Sequence, residues 1–153
     1  MAGRLVNALG ASMSVAEAFS DEATLRHMLR FEAALAHAAA EAGLIPKRAA
    51  SVIAKACNPA LYDPALYDPM SLAQAARRSA TLTVPVVKAL TAEVARRDAR
   101  ASGYVHWGAT SQDVIDTAKM LQLGEALPPL LAALDGIVLA FAGMAAVQQA
   151  ERR

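Results

Sequence analysis

Five side chains in one short stretch have the types and spacing to do chemistry: His106, Thr110, Ser111, Gln112 and Asp113. They fall within Tyr104-Val105-His106-Trp107-Gly108-Ala109-Thr110-Ser111-Gln112-Asp113-Val114-Ile115-Asp116-Thr117, between Gly103 and a helical pattern. A helix that starts here turns unpaired backbone amides outward, and its dipole adds partial positive charge. Thr110 and Ser111 add hydroxyl donors at the same point, so the set can cradle a carboxylate or a phosphate. His106 is near enough in sequence to offer that anion a hydrogen bond or a proton. Gly108 and Ala109 leave room for a ligand beside the backbone. The plainer alternative is a helix cap, with Thr110 or Ser111 as the capping residue and Asp113 in the first turn. From the residues alone, the cap explains the stretch better.

Other chemistries find little support. His106 and Asp113 have no third partner at metal-ligand spacing, and His27 and His37 are too far apart to share one turn, so no metal is expected. There is no Gly-rich phosphate loop, and no organic cofactor is expected. The spacings define no Ser-His-Asp set. Cys57 is the one cysteine, which excludes an intrachain disulfide and suits a small buried packing residue.

The elements that must position this stretch are helices. Hydrophobic residues make up 56% of the 153, aromatics only 5%, and alanine dominates, which favours closely packed helices over sheets. No alternating strand pattern occurs. A helix from Ser20-Asp21 to Gly43 carries Leu25, Met28, Leu29, Leu35, Ala36, Ala39 and Ala40 at helical spacing. Pro46, as a first helical residue, opens a short helix to about Ala56. The direct repeat Ala60-Leu61-Tyr62-Asp63-Pro64 and Ala65-Leu66-Tyr67-Asp68-Pro69 lengthens a loop, and its second Asp-Pro starts a helix to about Ser79. Another helix, from Val84 to about Ala99, has Val86, Val87, Leu90 and Val94 on its apolar face. Arg96, Arg97 and Arg100 at its end complement the dipole, with an anion site as the alternative. A helix from Ser111 to Leu123 is expected to break or kink at Gly124 and Pro128-Pro129. A last helix then runs to Glu151-Arg152-Arg153. It is apolar over a membrane-spanning length, yet Asp135 near its middle and the two prolines argue for a buried bundle helix. A net charge of +1 with scattered Lys and Arg argues against nucleic acid. No signal peptide is read, and a cytoplasmic location is expected.

The stretch from His106 to Thr117 resembles the first signature region of the fumarase/aspartase superfamily. Within it the pattern is most similar to the 3-carboxy-cis,cis-muconate cycloisomerases, and next to the adenylosuccinate lyases. Phe19-Ser20-Asp21 through Leu44-Ile45-Pro46, with Glu32-Ala33-Ala34-Leu35-Ala36, and Val84-Pro85-Val86-Val87-Lys88-Ala89-Leu90 resemble the same group. The resemblance implies an all-α fold: an N-terminal helical domain over 1–110, then the first helices of a long-helix bundle over 111–153. It implies that Thr110 and Ser111 bind a substrate carboxylate and that His106 lines the site. Gln112 and Asp113 contact the ligand or hold the loop. It further implies a tricarboxylate substrate, a homotetramer, and no cofactor or membrane. The superfamily's second signature histidine and its Gly-Ser-Ser loop are absent from these residues. Catalytic acid and base groups are therefore expected elsewhere, and these 153 residues alone are expected to be inactive. Thr83-Val84-Pro85 and its neighbours lack the Arg-His-Asp triplet of adenylosuccinate lyases, and Ser79-Ala80-Thr81 lacks the Gly-Asn of the cycloisomerases. A fumarate-releasing lyase and a non-catalytic helical assembly module are the alternatives.

Overall fold

Helix signals in the sequence translate closely into elements. The computed structural model describes residues 13–60 and 67–152. Among them are six α-helices: α1 (Met13–Ala18), α2 (Asp21–Glu41), α3 (Lys47–Ala56), α4 (Pro69–Ser79), α5 (Thr83–Arg97) and α6 (Ser111–Glu151). A 3₁₀ turn at Ala101–Tyr104 joins α5 to the signature loop. No strand occurs among the described residues, so the all-α expectation holds.

Each start has a local cause. The Ser20 hydroxyl accepts from the Ala23 amide at 3.1 Å, and Asp21 and Glu22 face the positive end of α2. Gly43, at φ +74°, ends that helix in the left-handed conformation that costs glycine least. Asp68 caps α4 through the Ser71 amide at 2.9 Å, with Pro69 in its first turn. Most of the Tyr-Asp-Pro duplication, residues 61–66, lies outside the described residues. Pro46 is the N-cap of α3 rather than its first helical residue. Its extended ψ of 136° keeps it just outside the helix.

The core forms where α2, α3 and α5 meet the front of α6. Leu29, Ile53, Val86, Leu90, Val94 and Val114 are fully buried there. Burying a side chain of this size contributes about 1.5–3 kcal/mol. Val87, expected on the apolar face of α5, is only half-buried. His27 is the packing histidine of the pair, buried beneath α6 with Nε2 at 3.2 Å from Glu125. His37 is exposed. Cys57 is buried as expected, and burial, then the nearby Glu32 carboxylate, pushes its thiol up to about 12.

One expectation for the C-terminal half fails. No break occurs at Gly124 or Pro128-Pro129, because α6 is one helix of 41 residues with both prolines inside it. Proline removes a backbone donor, but its fixed φ is itself helical, so the helix continues through both residues while hydrogen bonds are lost. The rear of α6 is left uncovered by the described residues. After Ala126, every described residue is exposed except the half-buried Pro129. Burial needs covering atoms, and the helices before α6 reach only its first turns. By length and composition α6 also qualifies to cross a membrane, and it is the one described helix that does.

Candidate functional site

The signature loop is held from three sides. At its C-terminal edge Thr110 is the N-cap of α6 in a reciprocal capping box. The Asp113 amide donates to Thr110 Oγ1 at 3.4 Å. Asp113 Oδ2 accepts from the Thr110 amide at 2.7 Å and from its hydroxyl at 2.8 Å. These bonds hold the Asp113 carboxyl below its ordinary range, with the positive influence of His106 a smaller cause. The cap expected from the residues is therefore present. It occupies the Thr110 hydroxyl, which a ligand must share or displace.

Ser111, half-buried, is fixed through its backbone: its carbonyl accepts from Thr83 Oγ1 at 3.2 Å. That bond ties α6 to the start of α5. Gln112 lies exposed one turn before Asp116 and donates to its Oδ1 at 2.7 Å. Thr110, Gln112 and Asp113 all face solvent, so the corner is an open surface. Tyr104 and Trp107 pack with ring centroids 5.8 Å apart on the approach to it.

His106 departs most from ordinary geometry. Its φ is +58°, in the left-handed region where a side chain is strained, at a cost of about 1–3 kcal/mol. Its Nδ1 lies 2.7 Å from Oε1 of Glu32, on α2. Glu32 is 1% exposed, and burial raises its carboxyl above the ordinary range while His106 opposes that rise. The Glu32–His106 pair is the part of the site that reasoning from residue types missed. A signal existed, since Leu25, Met28, Leu29, Glu32 and Ala36 share the buried stripe of α2, which leaves one carboxylate on an apolar face.

The structure thus brings His106, Thr110, Ser111 and Asp113 together at one helix start, with Gln112 directed along α6 toward Asp116. The arginines of α5 do not join them. Arg97 grips Glu93 with two nitrogens at 3.1 and 2.8 Å, and Arg96 lies 3.6 Å from the same carboxylate. Arg100 instead lines a separate cleft of about 460 Å³ with Arg48, Asp98 and Tyr104. No group of three His, Cys, Asp or Glu side chains suited to a metal occurs among the described residues.

An all-α chain with a hydroxyl-rich cap at the head of one very long helix defines a class, and comparison with known proteins supplies its members. The lyase family pattern matches residues 9–150, and the chain belongs to that family. It is 51% identical over 134 residues to the 3-carboxy-cis,cis-muconate cycloisomerase of Bradyrhizobium diazoefficiens, covering 88% of this chain and 29% of the relative. It is 40% identical over 146 residues to the nitrosuccinate lyase of Streptomyces davaonensis, covering 95% of this chain and 30% of that relative. The crystal structure of 3-carboxy-cis,cis-muconate lactonizing enzyme from Pseudomonas putida superposes with a TM-score of 0.76 at 42% identity. That match covers 85% of this chain and 28% of that one. The fold is that of the fumarase/aspartase superfamily, and the chain spans about 29% of the length of the Bradyrhizobium relative.

Proposed function

We propose that these residues form the N-terminal part of a cycloisomerase that interconverts 3-carboxy-cis,cis-muconate and a carboxymuconolactone in aromatic-acid breakdown. The observation that carries the reading is Thr110-Ser111 at the head of α6 with His106 beside them, in a chain half identical to a cycloisomerase over most of its length. In this reaction a carboxylate adds across a double bond and the neighbouring carbon is protonated. The charge that develops is an aci-carboxylate, stabilised by hydrogen-bond donors aimed at its oxygens. Thr110 and Ser111 supply such donors at the positive end of α6. His106 lines the site, while Asp113 holds the cap and Gln112 contacts the ligand edge.

The acid and base groups come from outside these residues. Residues 1–110 act as the helical domain and 111–153 as the start of the bundle. The exposed apolar rear of α6 packs against other long helices in a homotetramer, in the cytoplasm rather than in a membrane. Asp135, inside that apolar span, supports the bundle over a lipid environment. The likeness to nitrosuccinate lyase favours a second reading, an elimination on a related polycarboxylate.

The test is an assay of the full-length protein with 3-carboxy-cis,cis-muconate, following loss of the diene absorbance. Lactone formation is expected, with a loss of at least about tenfold in kcat/KM for the Thr110→Ala, Ser111→Ala double variant. No conversion of muconate by the full-length protein, alongside elimination from a succinate derivative, would select the second reading. The 153 residues alone are expected to show no turnover.

A further inference from the structure

We propose that Glu32 is a positioning residue for His106, fixing the tautomer and direction of the one imidazole beside the Thr110-Ser111 corner. The proposal rests on the reading of that corner as a ligand site. Three independent features of the structure converge on this ring. Its Nδ1 sits 2.7 Å from Glu32 Oε1, a contact that links α2 to a loop 74 residues away. The carboxylate is 1% exposed, so it cannot swing to solvent and exchange this partner for water. The histidine backbone is left-handed, a conformation that persists only where surroundings over-determine it.

The chemistry follows from the imidazole's two nitrogens. A carboxylate can only accept, so Nδ1 carries the proton in the pair. Nε2 is then the nitrogen left for a ligand: a lone pair when the ring is neutral, a donor when it is protonated. The other groups acting on the pair are few. Cys57, at the end of α3, senses the Glu32 charge, and Asp113, at the head of α6, senses His106. The Cys57 thiol is held neutral by its burial, so the ring lies between a buried carboxylate and the cap carboxylate of Asp113. A ligand carboxylate placed at Thr110-Ser111 meets a ring whose orientation was set before it arrived.

The experiment compares full-length wild type, Glu32→Ala and Glu32→Gln by ¹⁵N NMR of the histidine side chains, with His106→Asn identifying the resonance. In parallel, kcat/KM is measured across the imidazole range, about pH 5 to 8. Wild type and Glu32→Gln, whose amide oxygen still accepts from Nδ1–H, are expected to show the Nδ1–H tautomer. Glu32→Ala is expected to shift toward Nε2–H and to lose at least about tenfold in kcat/KM, with partial rescue in Glu32→Gln.

An unchanged tautomer in Glu32→Ala would overturn the proposal. If Glu32→Ala fails to fold, the wild-type spectrum decides the matter: an Nδ1–H tautomer at His106 supports the proposal and an Nε2–H tautomer overturns it. A shifted tautomer in a protein that turns over no polycarboxylate leaves positioning intact and removes the functional reading instead.

Discussion

The front and rear of α6 belong to one helix but obey different rules. In front, Val114, Ala118, Gln122 and Ala126 are buried at four-residue intervals, one stripe laid against the helices that precede it. Behind, Leu130, Leu131, Leu134, Ile137, Val138, Leu139 and Phe141 are at least as apolar, yet all are exposed. The front is covered because α1 and α2 cross it, tied down by Gln122 to the Ala18 carbonyl and by Arg26 to Glu125. The rear has no such neighbours among the described residues. Apolarity states a demand for burial, and only available partners can meet it.

The sharpest way to break this contrast is to place one charge in each half. Val114→Asp puts an unpaired carboxylate in the core and is expected to cost about 3–5 kcal/mol. Val138→Asp is expected to change folding of these residues by less than about 0.5 kcal/mol, while weakening association of the full-length protein. Urea unfolding reads the first and sedimentation the second; equal unfolding losses would erase the distinction.

A smaller effect tests what fastens the front. Gln122 Nε2 donates to the Ala18 carbonyl and to Thr24 Oγ1, both at 3.0 Å. Gln122→Met keeps the volume and strands those acceptors, for an expected loss of about 1–3 kcal/mol. Hydrogen exchange should quicken first in α1, whose last carbonyl loses its partner. Smaller again is the cap: Thr110→Ala is expected to cost about 1 kcal/mol, and Thr110→Ser to restore most of it.

The mildest test uses pH, where two carboxyls act with opposite sign. Asp113 is held below its ordinary 3.8, so its contribution is present above that value and is lost as pH falls through the depressed one. Glu32 is raised above its ordinary 4.5, so its contribution is present below that value and declines as pH rises through the raised one. Relative to wild type, Asp113→Asn should flatten the acid side of the stability profile. Glu32→Gln should remove the decline on the neutral side. Thermal melts across the acid range check both.

Much of this was legible in the residues. Ser20, Asp68 and Thr110 mark helix starts by accepting from amides three residues on, and Gly43 marks an end by its left-handed backbone, so their role needs no tertiary knowledge. The stripe of α2 and the apolar face of α5 follow from spacing alone. The two prolines misled because their penalty is local, whereas helix continuity depends on the turns on both sides. The Arg96-Arg97 pair left an anion site open until the structure showed Glu93 taking both.

What the sequence determined by itself was the helical class, the capped start at Thr110 and the family, because these rest on short-range patterns. What only tertiary structure decided was the meeting of Glu32 with His106, the continuity of α6 and the point where its covering ends. These depend on groups far apart in sequence, or on atoms that must be present to cover an apolar face. The signature loop illustrates both: its cap was written in neighbouring residues, and its histidine was set by a carboxylate 74 residues away in the chain.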